Sequence, residues 1–185
     1  VIRISGQNTK KVIKNMTFSE PPNPKIATFV KFKDPKTKET IDEGILLWFP
    51  APNSYTGEDM AEFHVHGSKS VIDAIHSSIS SIDGCRLAEA GEFTKIAFQN
   101  GKINLLKAES ISDLLASETE IQRKQAIKIM SGKSSDKFNL LRNRLLKILS
   151  NIEAKIDFPE ENLPDEILIE VKISAKKIKE EIQNL

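Results

Sequence analysis

The chain has 185 residues, with 27 basic and 26 acidic side chains and a formal net charge of +1. This near-neutral balance excludes a protein that binds nucleic acid by bulk phosphate neutralisation, although a local basic patch stays open. No apolar run approaches the roughly 20 residues that cross a bilayer, so we expect no membrane span. Cys85 is the only cysteine, which rules out an internal disulfide and favours a reducing compartment.

The composition changes near residue 102. All three histidines, six of the eight prolines and seven of the eight glycines lie before it. After it the sequence is rich in Leu, Ile, Lys, Glu and Ala, a composition that favours helices. We therefore predict an α+β protein, with a mixed α/β domain over residues 1–102 and a helical segment over residues 103–185.

Apolar and polar residues alternate in several short runs of the first half, which indicates half-buried strands. The predicted strands are Val1–Ser5, Ile26–Lys33, Gly44–Phe49, Glu62–His66 and a short final strand at Arg86–Ala88. Turn chemistry at residues 34–38 joins the second and third strands into a hairpin, and residues 50–57 form a loop. Three helices are predicted, one marked by Val12, Ile13 and Met16, one by Val71, Ile72, Ile75 and Ile79, and one over Glu92–Gln99 that ends at Asn100-Gly101.

The second half has helical periods throughout. The face predicted for its first helix consists of Leu105, Ala108, Ile111 or Ser112, and Leu115. A second helix is predicted to bury Phe138, Leu141, Leu145, Ile148, Ile152 and Ile156, and a loop lies between Pro159 and Pro164. The last helix has a narrow heptad-like seam of Leu168, Val171, Ala175, Ile178, Ile182 and Leu185. Because this helix has no C-terminal stop signal, we expect it to need a partner surface.

The segment Ser131-Gly132-Lys133-Ser134 is similar to the end of a phosphate-binding P-loop. That motif requires a further glycine five positions before Gly132, and this position is Ile127. No apolar strand precedes the segment either. We therefore predict a solvated break between two helices, with no nucleotide site in these residues.

Two histidines, His64 and His66, are spaced to share one strand face and so could bind a metal. No cysteine lies nearby and no third ligand can be identified, so we favour hydrogen-bonded or surface histidines and predict no metal site. No catalytic constellation can be argued from the serines. The lysines of the last helix are interpreted as a solvated face, with contact to an RNA backbone as the alternative.

Longer strings of the sequence resemble the tRNA modification GTPase MnmE (TrmE) family. They are Val1–Gly6 (VIRISG), Pro52–Asp59 (PNSYTGED), His66-Gly67, Ala90–Thr94 (AGEFT), Ala97–Lys102 (AFQNGK), Lys107–Glu109 (KAE) and Ile156–Glu161 (IDFPEE). These motifs occur in order over residues 1–161, so the resemblance is specific. Only the residues from Asn162 onward carry none of it.

The resemblance implies an N-terminal tetrahydrofolate-binding domain of aminomethyltransferase-like fold, which dimerises, and then a helical domain. In this family a G domain with the P-loop interrupts the helical domain and uses GTP, magnesium and potassium. With the flavoprotein MnmG, the complex modifies carbon 5 of the wobble uridine of tRNA in the cytoplasm. The G domain, the second helical half and the region before the first strand are expected to lie outside these 185 residues, which should therefore not hydrolyse GTP.

The family's folate contacts correspond to Arg3 in VIRISG, Glu62 in GEDMAEF and Lys102 in QNGK. A carboxylate such as Glu62 can accept the adjacent N–H and amino donors of a pterin, and the anionic folate tail requires cations such as Arg3 and Lys102. A fourth contact is implied outside the sequence. For each residue the alternative is a surface ion pair.

Two other functions stay open. One is a stand-alone folate-dependent aminomethyltransferase, which the IDFPEE segment in the helical half disfavours. The other is an assembly module without a ligand, in which the heptad seam of the last helix is the working surface. Titration with 5-formyltetrahydrofolate distinguishes this second alternative from the folate-binding functions.

Overall fold

The computed structural model describes residues 1–157 and 166–183. The chain divides into two compact units, Val1–Ala108 and Glu109–Leu185. The division falls within a helix, Leu105–Leu115, whereas the composition places the boundary at residue 102. No helix among the described residues is long and apolar enough to cross a membrane.

The first unit contains a four-stranded antiparallel sheet. Its strands are β1 (Ile2–Ser5), β2 (Thr28–Lys33), β3 (Thr40–Phe49) and β4 (Met60–His64), in the order β1-β4-β3-β2. The predicted hairpin is confirmed, because β2 and β3 pair along their length. The strand β3 begins four residues earlier than the sequence indicated, at Thr40, and β4 begins two residues earlier, at Met60.

Three helices complete the α/β part: α1 (Thr9–Thr17), α2 (Lys69–Ser80) and α3 (Glu92–Gln99). The helices α1 and α2 cover one face of the sheet. Val12, Ile13 and Met16 of α1, together with Ile75 of α2, have no exposed surface and share a core with Phe63 of β4. Burying an apolar side chain of this size contributes about 1.5–3 kcal/mol, so these contacts hold the sheet and its helices together.

The opposite face of the sheet carries a different set of side chains. Paired residues of antiparallel strands point to the same side. Since Ile2 and Phe63 are paired within the core, the next pair, Arg3 and Glu62, points away from it. We call this surface the outer face; it includes Arg3, Phe29, Ile45, Leu47, Glu62 and His64.

The prediction of a final strand at Arg86–Ala88 is wrong. These residues have no strand partner and no regular secondary structure. The Arg86 guanidinium instead donates to the Leu87 carbonyl and to the carboxylate of Glu92 at the start of α3. Leu87, in the middle of this segment, is exposed.

The remaining helices are α4 (Leu105–Leu115), α5 (Glu120–Met130), α6 (Lys133–Asp157) and α7 (Glu166–Gln183). Between α5 and α6 lie only Ser131 and Gly132, and Gly132 has a φ of +88°. The predicted break between two helices is therefore confirmed. The helices α6 and α7 pack against each other, with Leu141 and Ile178 buried. An ion pair joins them, in which Arg144 Nη1 donates to both carboxylate oxygens of Glu181.

The predicted buried faces of these helices need correction. In α4, Ser110 is buried while Leu105 and Leu115 are exposed, so the face is rotated from the predicted one. Leucine doublets at 105–106 and 114–115 make the helical phase ambiguous.

The faces of α6 and α7 are predicted correctly only in part: Leu141 and Ile178 are buried, and Ile148, Ile152 and Val171 are half-buried. The predicted positions that are exposed are Phe138, Leu145, Ile156, Leu168, Ala175 and Ile182. Pro159, Pro164 and Leu185 lie outside the described residues.

Candidate functional site

Arg3 and Glu62 form an ion pair on the outer face. They are directly opposite each other in the register of β1 and β4. The Arg3 Nε donates to Glu62 Oε1 at 2.8 Å, and Arg3 Nη2 lies 2.8 Å from the same oxygen. The side chain of Glu62 is only 15% exposed, whereas that of Arg3 is 49% exposed. The structure thus brings together two of the three predicted site residues. They form an ion pair with each other, which is the arrangement that the sequence left open as the alternative to a folate contact.

His64 is the second neighbour of the Glu62 carboxylate. It lies two residues further along β4, so both side chains project from the same face of the strand. Its Nε2 is 3.3 Å from Glu62 Oε2, the oxygen that is not near Arg3. A hydrogen-bonded or surface His64 is the interpretation favoured from the sequence, but its partner was not predicted, although the two-residue spacing from Glu62 was a signal for it.

Lys102, the third predicted residue, holds the loop between β3 and β4. Its Nζ donates to the Pro52 carbonyl at 2.7 Å, and its side-chain carbons lie 3.2 Å from the position that a Cβ on Gly57 would occupy. The neighbouring Asn100 donates to the Thr56 carbonyl at 2.8 Å. The described contacts of Lys102 are therefore with this loop and not with Arg3 or Glu62.

The same loop is joined to β1 by hydrogen bonds of hydroxyl groups. The Ser5 hydroxyl lies 2.7 Å from that of Thr56 and donates to Glu58 Oε2 at 3.0 Å. Thr56 is fully buried. Ser5 and Arg3 are two residues apart and therefore lie on the same face of β1. The loop and the Arg3–Glu62 pair are thus anchored to one strand. These three polar residues, Ser5, Thr56 and Glu58, lie within the motifs of the resemblance, but their roles were not predicted from the sequence.

The second histidine of the pair, His66, is held by a different carboxylate. Its backbone N–H donates to Asp42 Oδ2 at 2.7 Å, and its Nδ1 is 2.9 Å from Asp42 Oδ1. Burial opposes ionisation of Asp42, but these hydrogen bonds outweigh it and keep the pKa of the carboxyl below its ordinary value. Each histidine thus has its own carboxylate partner. Within residues 1–157 and 166–183, no group of three His, Cys, Asp or Glu side chains could hold a metal.

Cys85 lies at the edge of the core. It is half-buried and packs against the apolar cluster beneath α1 and α2. Burial raises the pKa of its thiol, which makes the reactive thiolate scarcer at neutral pH. Cys85 therefore serves as a small apolar residue at the edge of the core.

The chain matches two protein families over nearly its whole length. Residues 1–102 match the family described as GTP-binding protein TrmE N-terminus, and residues 105–185 match the MnmE helical domain. The α+β sheet unit and the helices that follow it are consistent with this pair of domains. The class is therefore a TrmE-type N-terminal domain joined to a helical domain.

Relatives named tRNA modification GTPase MnmE are similar to the chain. That of Pelagibacter ubique (strain HTCC1062) is 65% identical over 178 residues, covering 96% of this chain and 40% of the relative. That of Rickettsia akari (strain Hartford) is 43% identical over 184 residues, covering 100% of this chain and 41% of the relative. The chain belongs to the MnmE family, and it spans about two fifths of the length of these relatives.

Proposed function

We propose that this chain is the folate-binding and dimerising part of a tRNA-modifying GTPase. The folate, as 5-formyl- or 5,10-methylene-tetrahydrofolate, is proposed to bind at the outer face around Arg3 and Glu62. The observation that supports this is the position of a guanidinium and a mostly buried carboxylate side by side on neighbouring strands, away from the core. The match to the MnmE helical domain favours this function over a stand-alone aminomethyltransferase.

The donors and acceptors at this site suit a reduced folate. Glu62 presents two carboxylate oxygens, which can accept the adjacent N–H and amino groups of a pterin. Arg3 is half exposed and can reach an anionic tail. Lys102 can add a second cation if its ammonium leaves the Pro52 carbonyl. When bound, the folate would supply the one-carbon unit for the modification.

The activity proposed for the whole protein follows from the family. With the flavoprotein MnmG, it would modify carbon 5 of the wobble uridine of tRNA in the cytoplasm. GTP, magnesium and potassium would act in a G domain beyond these 185 residues. We propose that this chain does not itself hydrolyse GTP, because Ile127 occupies the position of the first P-loop glycine.

Calorimetric titration of the 185-residue chain with 5-formyltetrahydrofolate tests the proposed ligand. We expect saturable binding with one folate per chain, weaker than in the whole protein because the implied fourth contact lies outside this sequence. A reference titration with free p-aminobenzoylglutamate, which has the anionic tail but no pterin, should give much weaker binding. If the chain binds no folate up to millimolar concentration, the proposed function is wrong; if both ligands bind equally, the pterin is not what the site recognises.

A further inference from the structure

The Glu62 carboxylate already has nitrogen neighbours at both of its oxygens. Arg3 approaches Oε1 with two nitrogens, each at 2.8 Å. His64 Nε2 lies 3.3 Å from Oε2. A carboxylate has about four lone-pair sites, two on each oxygen. The Arg3 nitrogens therefore crowd Oε1, while Oε2 keeps one site beside His64.

A ligand that donates one hydrogen bond to each oxygen needs a free site on both. Oε2 can accept such a donor while His64 stays in place. Oε1 can accept one only if Arg3 withdraws at least in part. Arg3 is a long side chain at the surface and is the more exposed member of the ion pair, 49% against 15% for Glu62. It is therefore the neighbour that can move.

We propose that His64 is a positioning residue for Glu62, and that its Nε2–H holds the carboxylate in place while Arg3 turns to the anionic part of the ligand. This inference rests on the proposed folate site. Before the ligand binds, Arg3 is paired with Glu62. After it binds, His64 is the protein side chain that still donates to Glu62. His64 thereby favours ligands that present two adjacent donors.

His64 also has a packing neighbour, Ile45 of β3, which is directly opposite it in the register. A residue that only packs against Ile45 can be replaced by any side chain of similar size. A residue that positions Glu62 must donate a hydrogen bond. A glutamine amide can take the place of the imidazole Nε2–H, whereas leucine fills space without donating. The two substitutions therefore separate the two roles.

The test is calorimetric titration of four variants of the 185-residue chain with 5-formyltetrahydrofolate. Losing a hydrogen bond to a charged group should weaken binding about tenfold in His64→Ala and His64→Leu. His64→Gln should stay within about twofold of the wild type. The matched control is His66→Ala, which removes an imidazole that bonds Asp42 and does not touch Glu62; it should bind like the wild type.

The variants also give the results that would overturn the proposal. If His64→Ala binds like the wild type, His64 does not position Glu62. If His64→Leu binds as tightly as His64→Gln, the role is packing. Should His64→Ala fail to fold in thermal melting, the comparison of Gln with Leu still decides, because both keep the side-chain volume.

A double substitution shows whether His64 acts through Glu62. Added to Glu62→Gln, His64→Ala should weaken binding by less than about twofold more, because coupled residues are not additive. Fully additive losses would assign His64 its own ligand contact and overturn the positioning role. A wild-type chain that does not bind folate contradicts the proposed function itself, whereas loss in Glu62→Gln without loss in His64→Ala contradicts only this inference.

Discussion

At the scale of single residues, Glu62 is the side chain on which the proposed site depends. Glu62→Gln replaces one acceptor oxygen with a donor that opposes the donors of a pterin. Losing a charge-assisted pair and adding a donor clash should cost about 2–3 kcal/mol, or about a hundredfold in affinity. The measurement is the Kd for 5-formyltetrahydrofolate.

The matched control for this substitution is Glu43→Gln. Glu43 is also on the sheet and pairs with a cation, Lys31, at 2.9 Å, but it does not contact Arg3 or His64. The Glu43→Gln variant should bind folate as tightly as the wild type. Equal binding by Glu62→Gln and the wild type would contradict the assignment of Glu62.

Part of this site could be predicted from the sequence. Alternation placed Arg3 and Glu62 on the polar sides of their strands, and the resemblance supplied their role. Their contact could not be predicted, because it depends on the register of β1 against β4, two segments 59 positions apart. The Lys102–Pro52 contact depends on the folding of a loop that carries no periodic signal.

At the scale of elements, strands with clear alternation were predicted well because one face of each is buried. The failures lie where the local pattern is weak. Arg86–Ala88 contains no β-branched or aromatic residue and has no neighbouring strand, since the ion pair between Arg86 and Glu92 fixes it beside α3. In α4 the apolar doublets fit two helical phases, and only packing decides between them.

The start of α3 gives a prediction for the pH dependence of stability. The Arg86 guanidinium, followed by the Glu89 backbone N–H, lowers the pKa of Glu92 from 4.5 to about 2. A carboxyl group whose pKa is lower in the folded than in the unfolded state stabilises the fold at every pH above the unfolded-state pKa. This contribution disappears as the pH falls from about 4.5 toward 2. The wild-type Tm should therefore fall more steeply over this range than the Tm of Glu92→Gln.

Arg86→Gln should show an intermediate pH dependence, because it removes the guanidinium but keeps the hydrogen bond from the Glu89 backbone N–H to Glu92. Thermal melting at several pH values measures all three proteins. Parallel curves for the wild type and Glu92→Gln would show that this ion pair does not stabilise α3.

The pairing of β3 with β4 depends on one glycine. A Cβ at Gly44 would lie 2.1 Å from the His64 carbonyl oxygen, which is backbone and cannot turn aside. Gly44→Ala must therefore push the strands apart, and we expect a loss of about 1–3 kcal/mol in the free energy of unfolding. Denaturant unfolding measures it. Gly67→Ala is the control, since no atom lies within 4 Å of its added Cβ; equal stability of the two variants would contradict the close approach.

At the scale of the whole molecule, the outer face has an exposed apolar part. Phe29 and Ile45 are paired neighbours of β2 and β3, and they are 68% and 40% exposed. Apolar side chains that lie together at a surface favour a protein–protein contact. Ligand pockets are also common where two surfaces meet. Both observations support the proposed dimer, with this part of the sheet in its interface.

Sedimentation of the chain at micromolar concentration tests this arrangement. We expect a species of about twice 20.7 kDa. Phe29→Glu should dissociate it, because the dimer would have to bury an unpaired carboxylate. Phe98→Glu is the control: Phe98 is also exposed in the first unit but lies beyond the sheet, near the end of α3. A wild-type chain that sediments at 20.7 kDa even at high concentration would contradict the dimer. A Phe29→Glu chain that still dimerises would place the interface on another surface.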